Sequence, residues 1–486
     1  MNNEIVSAIY TWGQFAPEFA LVGLAVIILL ADTFLPQIPK RAYTIVGAAG
    51  AIIAGYFLYV PEFGYSSTFG MIACIATSLV LLLAYDYQKV TCESVGGSGV
   101  TEGTSELYCL LLVACAGICC LAEARDIIML FVSLEVVTLS SYVMAGYFRR
   151  NQGSIEAGVK YLVLGALSTG LMVFGAAWYY GTTGSFMLSA GLVHSLFTCP
   201  MPELQTGFFL AVGLLLLGAF FKAGAAPMQI WIPDVYQGSP TPVSAFLAVA
   251  SKAAGFAVLV AMLEPFSRLA TVHPDKVGVI VTAISVVAAA TLLIGNLGAI
   301  CQNNAKRLLG YSSIGQAGFI IVFFTNLGAN YIVECVTDYL AAYMLATVAA
   351  FFAIAMVRTQ RGSEEISAFR GLGKTNPRTA FLITVAFASL AGVPLTYGFM
   401  AKFDSFYTLI DAMQYHSGLL WLLFVMVVGA AAGFYYYFKV LREMYWEKPM
   451  DGDKPLQVPA VTAGVLTGCA LAIILLGTYP LLFIQN

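Results

Sequence analysis

The chain has few charged residues and few histidines for its length of 486 residues. Only 10% of its residues are Asp, Glu, Lys or Arg, and it has three histidines. A water-soluble domain of this length needs a larger polar surface, so the composition excludes one. His194, His273 and His416 fall near the ends of apolar segments or in loops. We therefore expect them to lie at an interface rather than to bind metal.

Motifs for cofactors are also missing. The sequence has no G-x-G-x-x-G after a strand, no P-loop and no cysteine quartet with iron–sulfur spacing. Its ten cysteines are scattered, and only Cys119 and Cys120 are adjacent. Two neighbours on one helix cannot form a metal cage, so we interpret the cysteines as packing residues. We expect no cofactor and no metal in this chain, and a net charge of −3 gives no indication of nucleic-acid binding.

Long apolar segments dominate what remains. Hydrophobic residues make up 60% of the sequence, and the mean hydropathy is +0.85. Segments long enough to cross a bilayer of about 30 Å recur along the whole chain, which predicts an all-α polytopic membrane protein. We predict fourteen spans, numbered in chain order, at residues 17–35, 43–60, 68–85, 105–123, 127–147, 158–180, 206–226, 242–263, 277–298, 312–328, 339–357, 377–396, 417–440 and 458–483.

The basic residues predict an orientation. The odd-numbered connections between spans carry fifteen Lys and Arg residues, whereas the even-numbered ones carry only Arg125, Arg268 and Lys276. The positive-inside rule places the odd connections in the cytoplasm and both termini on the outer side. The start of the chain lacks the basic segment and cleavage site of a secretory signal, so we expect span 1 to be retained. These features indicate a multi-pass protein of a bacterial inner membrane.

Five charged residues in or just beyond the predicted spans are candidates for a function. Glu135 and Lys252 fall near the middle of spans 5 and 8, and Lys222 and Lys402 fall on spans 7 and 12. Lys160, one turn after Glu156 near the start of span 6, could still reach the cytoplasmic surface. Ionisable groups at membrane depth are costly and usually line a path for ions or protons. The sequence therefore predicts a proton or ion path through these residues.

Helix-breaking residues accompany two of the lysines. Pro227 and Pro233 follow Lys222 in span 7, and Gly392 and Pro394 precede Lys402 in span 12. Irregular backbone at membrane depth requires protein or a hydrated cavity around it. Because five spans separate the breaks, the second is inverted relative to the first, as in transporters with inverted repeats.

This pattern predicts two inverted five-helix repeats, spans 4–8 and spans 9–13, each with a broken helix. The predicted domains are residues 1–104 with spans 1–3, residues 105–263 and 277–445 as the two repeats, and residues 446–486 with span 14.

Four segments resemble a known family. They are "FFKAGAAPMQIWIPDVYQGSPTPVSAFLAVASKAAGF", "SLEVVTLSSYVMAGY", "SIEAGVKYLVLGALSTG" and "NAKRLLGYSSIGQAGF". They are similar to the antiporter-like proton-channel subunits of respiratory complex I, which are related to Mrp-type sodium/proton antiporters. The match, over about residues 105 to 445, is closest to the subunit N branch. The chain has no residues for the long C-terminal helix of subunit L, and subunit M usually has glutamate at the position of Lys402.

The resemblance implies roles for the buried charges. Glu135 corresponds to the family's key glutamate, Lys222 to its pumping lysine, Lys252 to its connecting lysine and Lys402 to its exit lysine. Lys160 matches a lysine often found on span 6. Gln229 stands where many relatives have histidine, which puts proton transfer by that position in doubt, although Gln229 could still hold water.

The resemblance also implies an activity and partners. The chain would be a proton-translocating subunit of a NADH:quinone oxidoreductase, driven by quinone reduction elsewhere in the complex. Other membrane and peripheral subunits would carry the flavin and iron–sulfur clusters and bind the quinone. The alternative is a stand-alone Mrp-like sodium/proton antiporter, which would need hard oxygen ligands in the membrane. Glu135 is the single mid-span carboxylate in the predicted spans.

Overall fold

The structure, a computed structural model, describes residues 15–35, 37–58, 66–95, 104–193, 202–272, 274–449 and 455–478. These residues form helices, and apart from two isolated bridges they form no strand. Thirteen of the described helices are long and apolar enough to cross a membrane. The predicted all-α polytopic fold is therefore confirmed. His194 and His273 lie outside the described residues.

Among the described residues the helices follow the predicted spans, and spans 7, 8 and 12 are each divided into separate α-helices. Spans 1 to 6 are the helices Ala16–Phe34, Lys40–Leu58, Ser66–Val95, Ser105–Ala122, Ile127–Ala145 and Gln152–Thr183. Spans 9 to 11, 13 and 14 are Pro274–Ile300, Ala305–Val322, Ile332–Arg361, Leu420–Tyr445 and Ala460–Thr478. Span 8 consists of Thr241–Ala248 and Ala250–Val272, which are separated at Val249.

Two spans are broken, as the sequence predicted, but their bounds differ from the prediction. Span 7 is helical over Pro202–Ala223 and continues as a 3-10 turn at Gln229–Trp231 and a helix at Ile232–Gly238. Span 12 consists of Pro377–Ala391 and Tyr397–Ala412. Pro233 was predicted to interrupt a helix, and this is wrong. It lies at the start of Ile232–Gly238, where the missing N–H of proline removes no helical hydrogen bond.

Several helices extend beyond the predicted apolar segments. Span 10 begins at Ala305 rather than at residue 312, and the Asn304 side chain accepts a hydrogen bond from Arg307 N at its start. Span 6 begins at Gln152, capped by Asn151. Hydropathy locates only the apolar part of a helix, because polar turns at the membrane surface are equally helical.

Spans 8, 10 and 11 are the most buried helices in the bundle. Span 8 packs against spans 3, 4 and 7, and span 11 packs against spans 3, 12 and 14. Span 10 lies between span 9 and the helix Ile232–Gly238 that follows the first break. These three spans carry polar side chains into the interior, between the two broken helices.

Candidate functional site

Each break turns on a glycine. The first helix of span 7 ends at Ala223 and is followed by Gly224 with φ +77°, and that of span 12 ends at Ala391, followed by Gly392 with φ +85°. Residues with a side chain rarely adopt this left-handed backbone conformation, whereas glycine adopts it without strain. Glycine can therefore end both helices. The Ala-Gly pair is the shared sequence pattern, and the prolines follow it.

At the second break, Lys402 binds the free end of the helix. Its Nζ donates to the carbonyl oxygens of Leu390 at 2.8 Å and Ala391 at 2.9 Å. These carbonyls belong to the last turn, which has no helical partners for them. The ammonium also lies 5.3 Å from the centre of the Phe319 ring, and the side chain is only 6% exposed.

At the first break, other residues satisfy the backbone. Trp231 Nε1 donates to the carbonyl of Phe221 at 3.1 Å, and Ala226 N donates to Thr291 Oγ1 at 2.9 Å. Lys222, 3% exposed, instead donates from Nζ to the Tyr161 hydroxyl at 3.2 Å. The Tyr161 ring stacks on Trp231 with 4.3 Å between centroids. The lysine therefore caps no helix here.

Glu135 is half-buried, and its Oε1 accepts a hydrogen bond from Thr169 Oγ1 at 2.8 Å. None of the ion pairs among the described residues joins this carboxylate to Lys222, and Lys222 Nζ donates to Tyr161 instead. Val132 and Leu139 on the same helix are exposed. The sequence-predicted pair is thus separated in this structure, and Glu135 borders an apolar outer face.

Lys252 lies between the breaks and is 1% exposed. Its Nζ donates to the carbonyl of Ser313 and lies 5.5 Å from the centre of the Tyr343 ring. A Cβ added to Gly224 would lie 3.8 Å from this Nζ, so the ammonium borders the first break. Gly255 allows the close packing, because a Cβ there would lie 2.7 Å from the Lys222 carbonyl carbon.

Lys160 differs from the other three lysines. Its side chain is 42% exposed, and its Nζ pairs with Glu156 and Asp234 at 2.7 Å each. Arg307 also pairs with Asp234, at 2.6 Å. This network ties the helix after the first break to spans 6 and 10, and it does not join the buried lysines.

A buried polar series that the sequence did not predict joins Lys252 to Lys402. Gln316 Nε2 donates to the Leu390 carbonyl at 3.0 Å and contacts the Tyr437 hydroxyl at 3.1 Å. Ser312 Oγ is hydrogen-bonded to the same Tyr437 hydroxyl, and Ser313 is its neighbour in the chain. All these side chains are at most 4% exposed. The segment "YSSIGQ" could have indicated this series, since it places three polar side chains in the apolar part of span 10.

Further polar groups line the same route. The Tyr339 hydroxyl donates to Gln316 Oε1. A cavity with about 210 Å³ of empty space is lined by residues that include Gln316, Tyr339 and Tyr343. The oxygens Tyr142 Oη and Gln229 Oε1 are buried near the first break with no partner among the described residues. Buried polar atoms of this kind usually bind ordered water.

The sequence did not predict the burial of Lys306. It was assigned to a cytoplasmic connection, but it is only 3% exposed. Its Nζ pairs with Glu364 at 3.1 Å and donates to the Ser239 carbonyl at 2.8 Å. A paired lysine at a helix start is expected to fix neighbouring segments in place.

Comparisons with known proteins agree with this architecture. Residues 124–430 match the family described as "NADH:quinone oxidoreductase/Mrp antiporter, TM". NADH-quinone oxidoreductase subunit N 1 of Solibacter usitatus is 35% identical, over 96% of this chain and 94% of that protein.

Two solved structures share the fold. A chain of respiratory complex I from Thermus thermophilus is 28% identical, with a TM-score of 0.76 over 96% of this chain and 97% of that one. A chain of the Mrp complex from Dietzia is similar in fold, with 23% identity and a TM-score of 0.79 over 97% of this chain and 51% of that one.

Proposed function

The chain belongs to the NADH:quinone oxidoreductase/Mrp antiporter transmembrane family, and we propose that it is subunit N of a proton-translocating NADH-quinone oxidoreductase. Its similarity to subunit N of several bacteria over nearly the full chain supports this assignment. The partners are the other membrane and peripheral subunits of that complex. The chain is a multi-pass protein of the bacterial inner membrane.

One observation carries the proposal. Lys252 and Lys402, both buried, are linked through the bundle interior by hydroxyl, amide and carbonyl groups. The buried Lys222 lies two residues before Gly224, which borders the Lys252 ammonium. A lysine moved into a low-dielectric site prefers its neutral form, so it can take up a proton and release it again. The cavity beside Gln316 and Tyr339 has about 210 Å³ of empty space, which is small for a bulky substrate.

The proton path begins at Glu135 and Lys222. Glu135 is bound to Thr169 and Lys222 to Tyr161, so the two charges are apart in this conformation. Bringing the carboxylate closer favours the protonated lysine, and separating them favours release. Lys252 then receives the proton beside Gly224. Ser312, Tyr437 and Gln316 pass it on with water, and Lys402 releases it towards the outer side.

The energy for transport comes from quinone reduction in other subunits, which carry the flavin and iron–sulfur clusters and bind the quinone. The two repeats, residues 105–263 and 277–445, would each hold one broken helix of the path. Lys160 lies at the surface end of span 6, where it would collect protons before Glu135. An Mrp-like sodium/proton antiporter remains the alternative, and sodium-dependent transport by the isolated chain would support it.

The proposed orientation has its own test. The connection at 358–378 should face the cytoplasm, and both termini should lie outside. Glu365 is exposed in this connection. In a background without Cys92, Cys199 and Cys301, which fall in connections between predicted spans, Glu365→Cys should resist an impermeant thiol reagent in intact cells and react in inverted vesicles. Labelling in intact cells would contradict the orientation.

The function is tested by comparing Glu135→Gln with Lys222→Ala in the assembled complex. Proton pumping and quinone reduction are measured together in reconstituted vesicles, after assembly has been verified. If the two residues act as one unit, each variant should lose pumping, and the double variant should be hardly worse than either. The matched control is Glu365→Gln, which removes an exposed carboxylate outside the path and should leave pumping nearly intact.

Additive losses would mean that Glu135 and Lys222 act independently, which overturns the paired mechanism. Unchanged pumping in both single variants, with normal assembly, would overturn the proton path itself.

A further inference from the structure

We propose that Cys74, Cys115 and Cys119 form a binding site for a soft monovalent metal ion, Cu(I), between spans 3 and 4. Cys74 Sγ lies 3.7 Å from Cys115 Sγ and 3.7 Å from Cys119 Sγ. All three sulfur atoms lie within 4.8 Å of one another. Sulfur ligands at about 2.3 Å from a metal, with tetrahedral or trigonal angles, are about 3.8 to 4.0 Å apart. A metal ion therefore fits between them with only small side-chain shifts.

The local sequence explains the convergence. Cys115 and Cys119 are four residues apart on span 4, so they share one face of the helix. Cys74 lies on span 3, which packs closely against span 2. The close packing depends on Gly55 of span 2, because a Cβ there would lie only 2.9 Å from Cys74 Cβ. The cysteines are all free and fully buried. Spacing along the chain gave no indication of this site, since the third ligand comes from another helix.

Close thiols also occur in ordinary packing, and a second feature distinguishes this cluster. Glu18 on span 1 is 3% exposed, and neither of its carboxylate oxygens has a partner among the described residues. Span 1 packs against span 4, which carries Cys115 and Cys119. A buried carboxylate without donors is costly, and this one can take up a proton that a thiol releases when it binds the metal.

Glu18 also suggests how a cation would enter. Glu123 follows Ala122, the last residue of span 4, against which span 1 packs. Glu123 is half-buried, and its Oε1 has no partner among the described residues. The two carboxylates would lead a cation from the end of span 4 to the thiols. In the proposed orientation this route opens to the outer side.

Ligand softness and coordination number select Cu(I). Thiolate sulfur favours soft ions such as Cu(I) over hard ones such as Mg²⁺ and Ca²⁺. Structural Zn²⁺ sites almost always have four ligands, and three sulfur atoms meet here among the described residues. Each sulfur binds as a thiolate, so one S–H bond breaks for every Cu–S bond that forms. The released protons go to the Glu18 carboxylate and to water.

The test uses the protein in its native membrane assembly, purified in mild detergent without oxygen. Cu(I) is presented with a competing chelator, and bound copper is counted per chain. We expect Cys74→Ser, Cys115→Ser and Cys119→Ser each to lose one copper per chain relative to the unaltered protein. The matched control is Cys469→Ser, a buried cysteine of span 14 outside the cluster, which should keep that copper. Glu18→Gln should slow uptake and leave the final amount unchanged.

Copper binding that is equal in the unaltered protein and in the three variants would overturn the proposal. If a serine variant fails to assemble, X-ray absorption of the unaltered protein decides instead. Three sulfur ligands at about 2.3 Å support the site. Nitrogen or oxygen ligands, or no bound copper, show that the cysteines only pack together. None of these measurements depends on proton pumping.

Discussion

The two broken spans use their lysines differently. At the break in span 12, Lys402 holds the carbonyl oxygens of Leu390 and Ala391. At the break in span 7, Trp231 and Thr291 bind the freed backbone groups, and Lys222 donates to Tyr161. One ammonium is thus part of a helix end, and the other is bound by a single hydroxyl among aromatic rings.

The difference shows how one type of break can serve two steps of transport. Hydrogen bonds to a charged donor contribute about 1.5 to 3 kcal/mol each, so Lys402 is held firmly by its two carbonyls. Lys222 has one neutral partner and can move towards Glu135 at a lower cost. We infer that uptake at Lys222 responds to small movements, whereas release from Lys402 requires the helix end itself to change.

The largest expected effects come from replacing the two lysines at the breaks. Lys222→Ala and Lys402→Ala should both abolish pumping. Lys402→Ala should also destabilise the protein more than Lys222→Ala does, by about 1 to 3 kcal/mol, because it leaves the buried Ala391 carbonyl unsatisfied, whereas Leu390 keeps its bond from Gln316. Thermal unfolding of the purified complex and pumping in vesicles measure the two effects. Equal stability of both variants would remove the distinction between the breaks. Lys439→Ala, at a partly exposed lysine bound to Gln302 and Asn303, is the control.

The second prediction concerns the connection between the regions. Gln316→Met keeps the size of the side chain but removes the bonds to Leu390 and Tyr437. We expect pumping to fall about tenfold, the effect of roughly 1.4 kcal/mol on a barrier. Gln316→Glu, which keeps an acceptor and can carry a proton, should retain more activity than Gln316→Met. Normal pumping by Gln316→Met would show that protons bypass this residue.

Glycine substitutions sharpen the comparison further. Gly224→Ala and Gly392→Ala both place a side chain at positive φ, which costs about 1 to 2 kcal/mol. In addition, a Cβ added to Gly392 would lie 2.9 Å from Lys402 Cδ, whereas one added to Gly224 would meet Ile232 Cδ1 at 2.5 Å. Gly392→Ala should therefore disturb its lysine directly, and Gly224→Ala should disturb packing first.

Gly362→Ala is the matched control for both variants. Gly362 has φ +72° but no atom within 4 Å of an added Cβ, so its alanine variant has the backbone strain alone. Stability and pumping of the three variants are measured together. If all three variants have the same stability and pumping, the effect of each substitution comes from backbone strain alone and not from contacts at the breaks.

The smallest expected effect is at Thr291. Thr291→Val keeps the shape of the side chain but removes the acceptor for Ala226 N at the first break. A loss of about 1 to 3 kcal/mol in stability is expected for the unsatisfied N–H, with most of the pumping retained. Strong loss of pumping at normal stability would show that transport requires this hydrogen bond at the first break. The two breaks would then be equally sensitive to a lost contact.

The sequence predicted the elements of this site better than their contacts. Lys222, Lys252 and Lys402 are conspicuous because charge in an apolar segment is costly and rarely accidental. The same reasoning did not predict that Lys160 is exposed and Lys306 buried. The packing of the helices determines both exposures. Gln316 is neutral and escaped notice, although its segment has an unusual run of polar residues.

The sequence by itself determined the membrane class, the helical segments and the location of the breaks, because hydropathy, charge and helix-breaking residues act locally along the chain. Only the tertiary structure decided which atoms satisfy the broken helices. Leu390 and Lys402 are twelve residues apart, Ala226 and Thr291 are sixty-five, and Cys74 and Cys119 are forty-five. Such partners are chosen by the packing of whole helices against each other, which no short segment specifies.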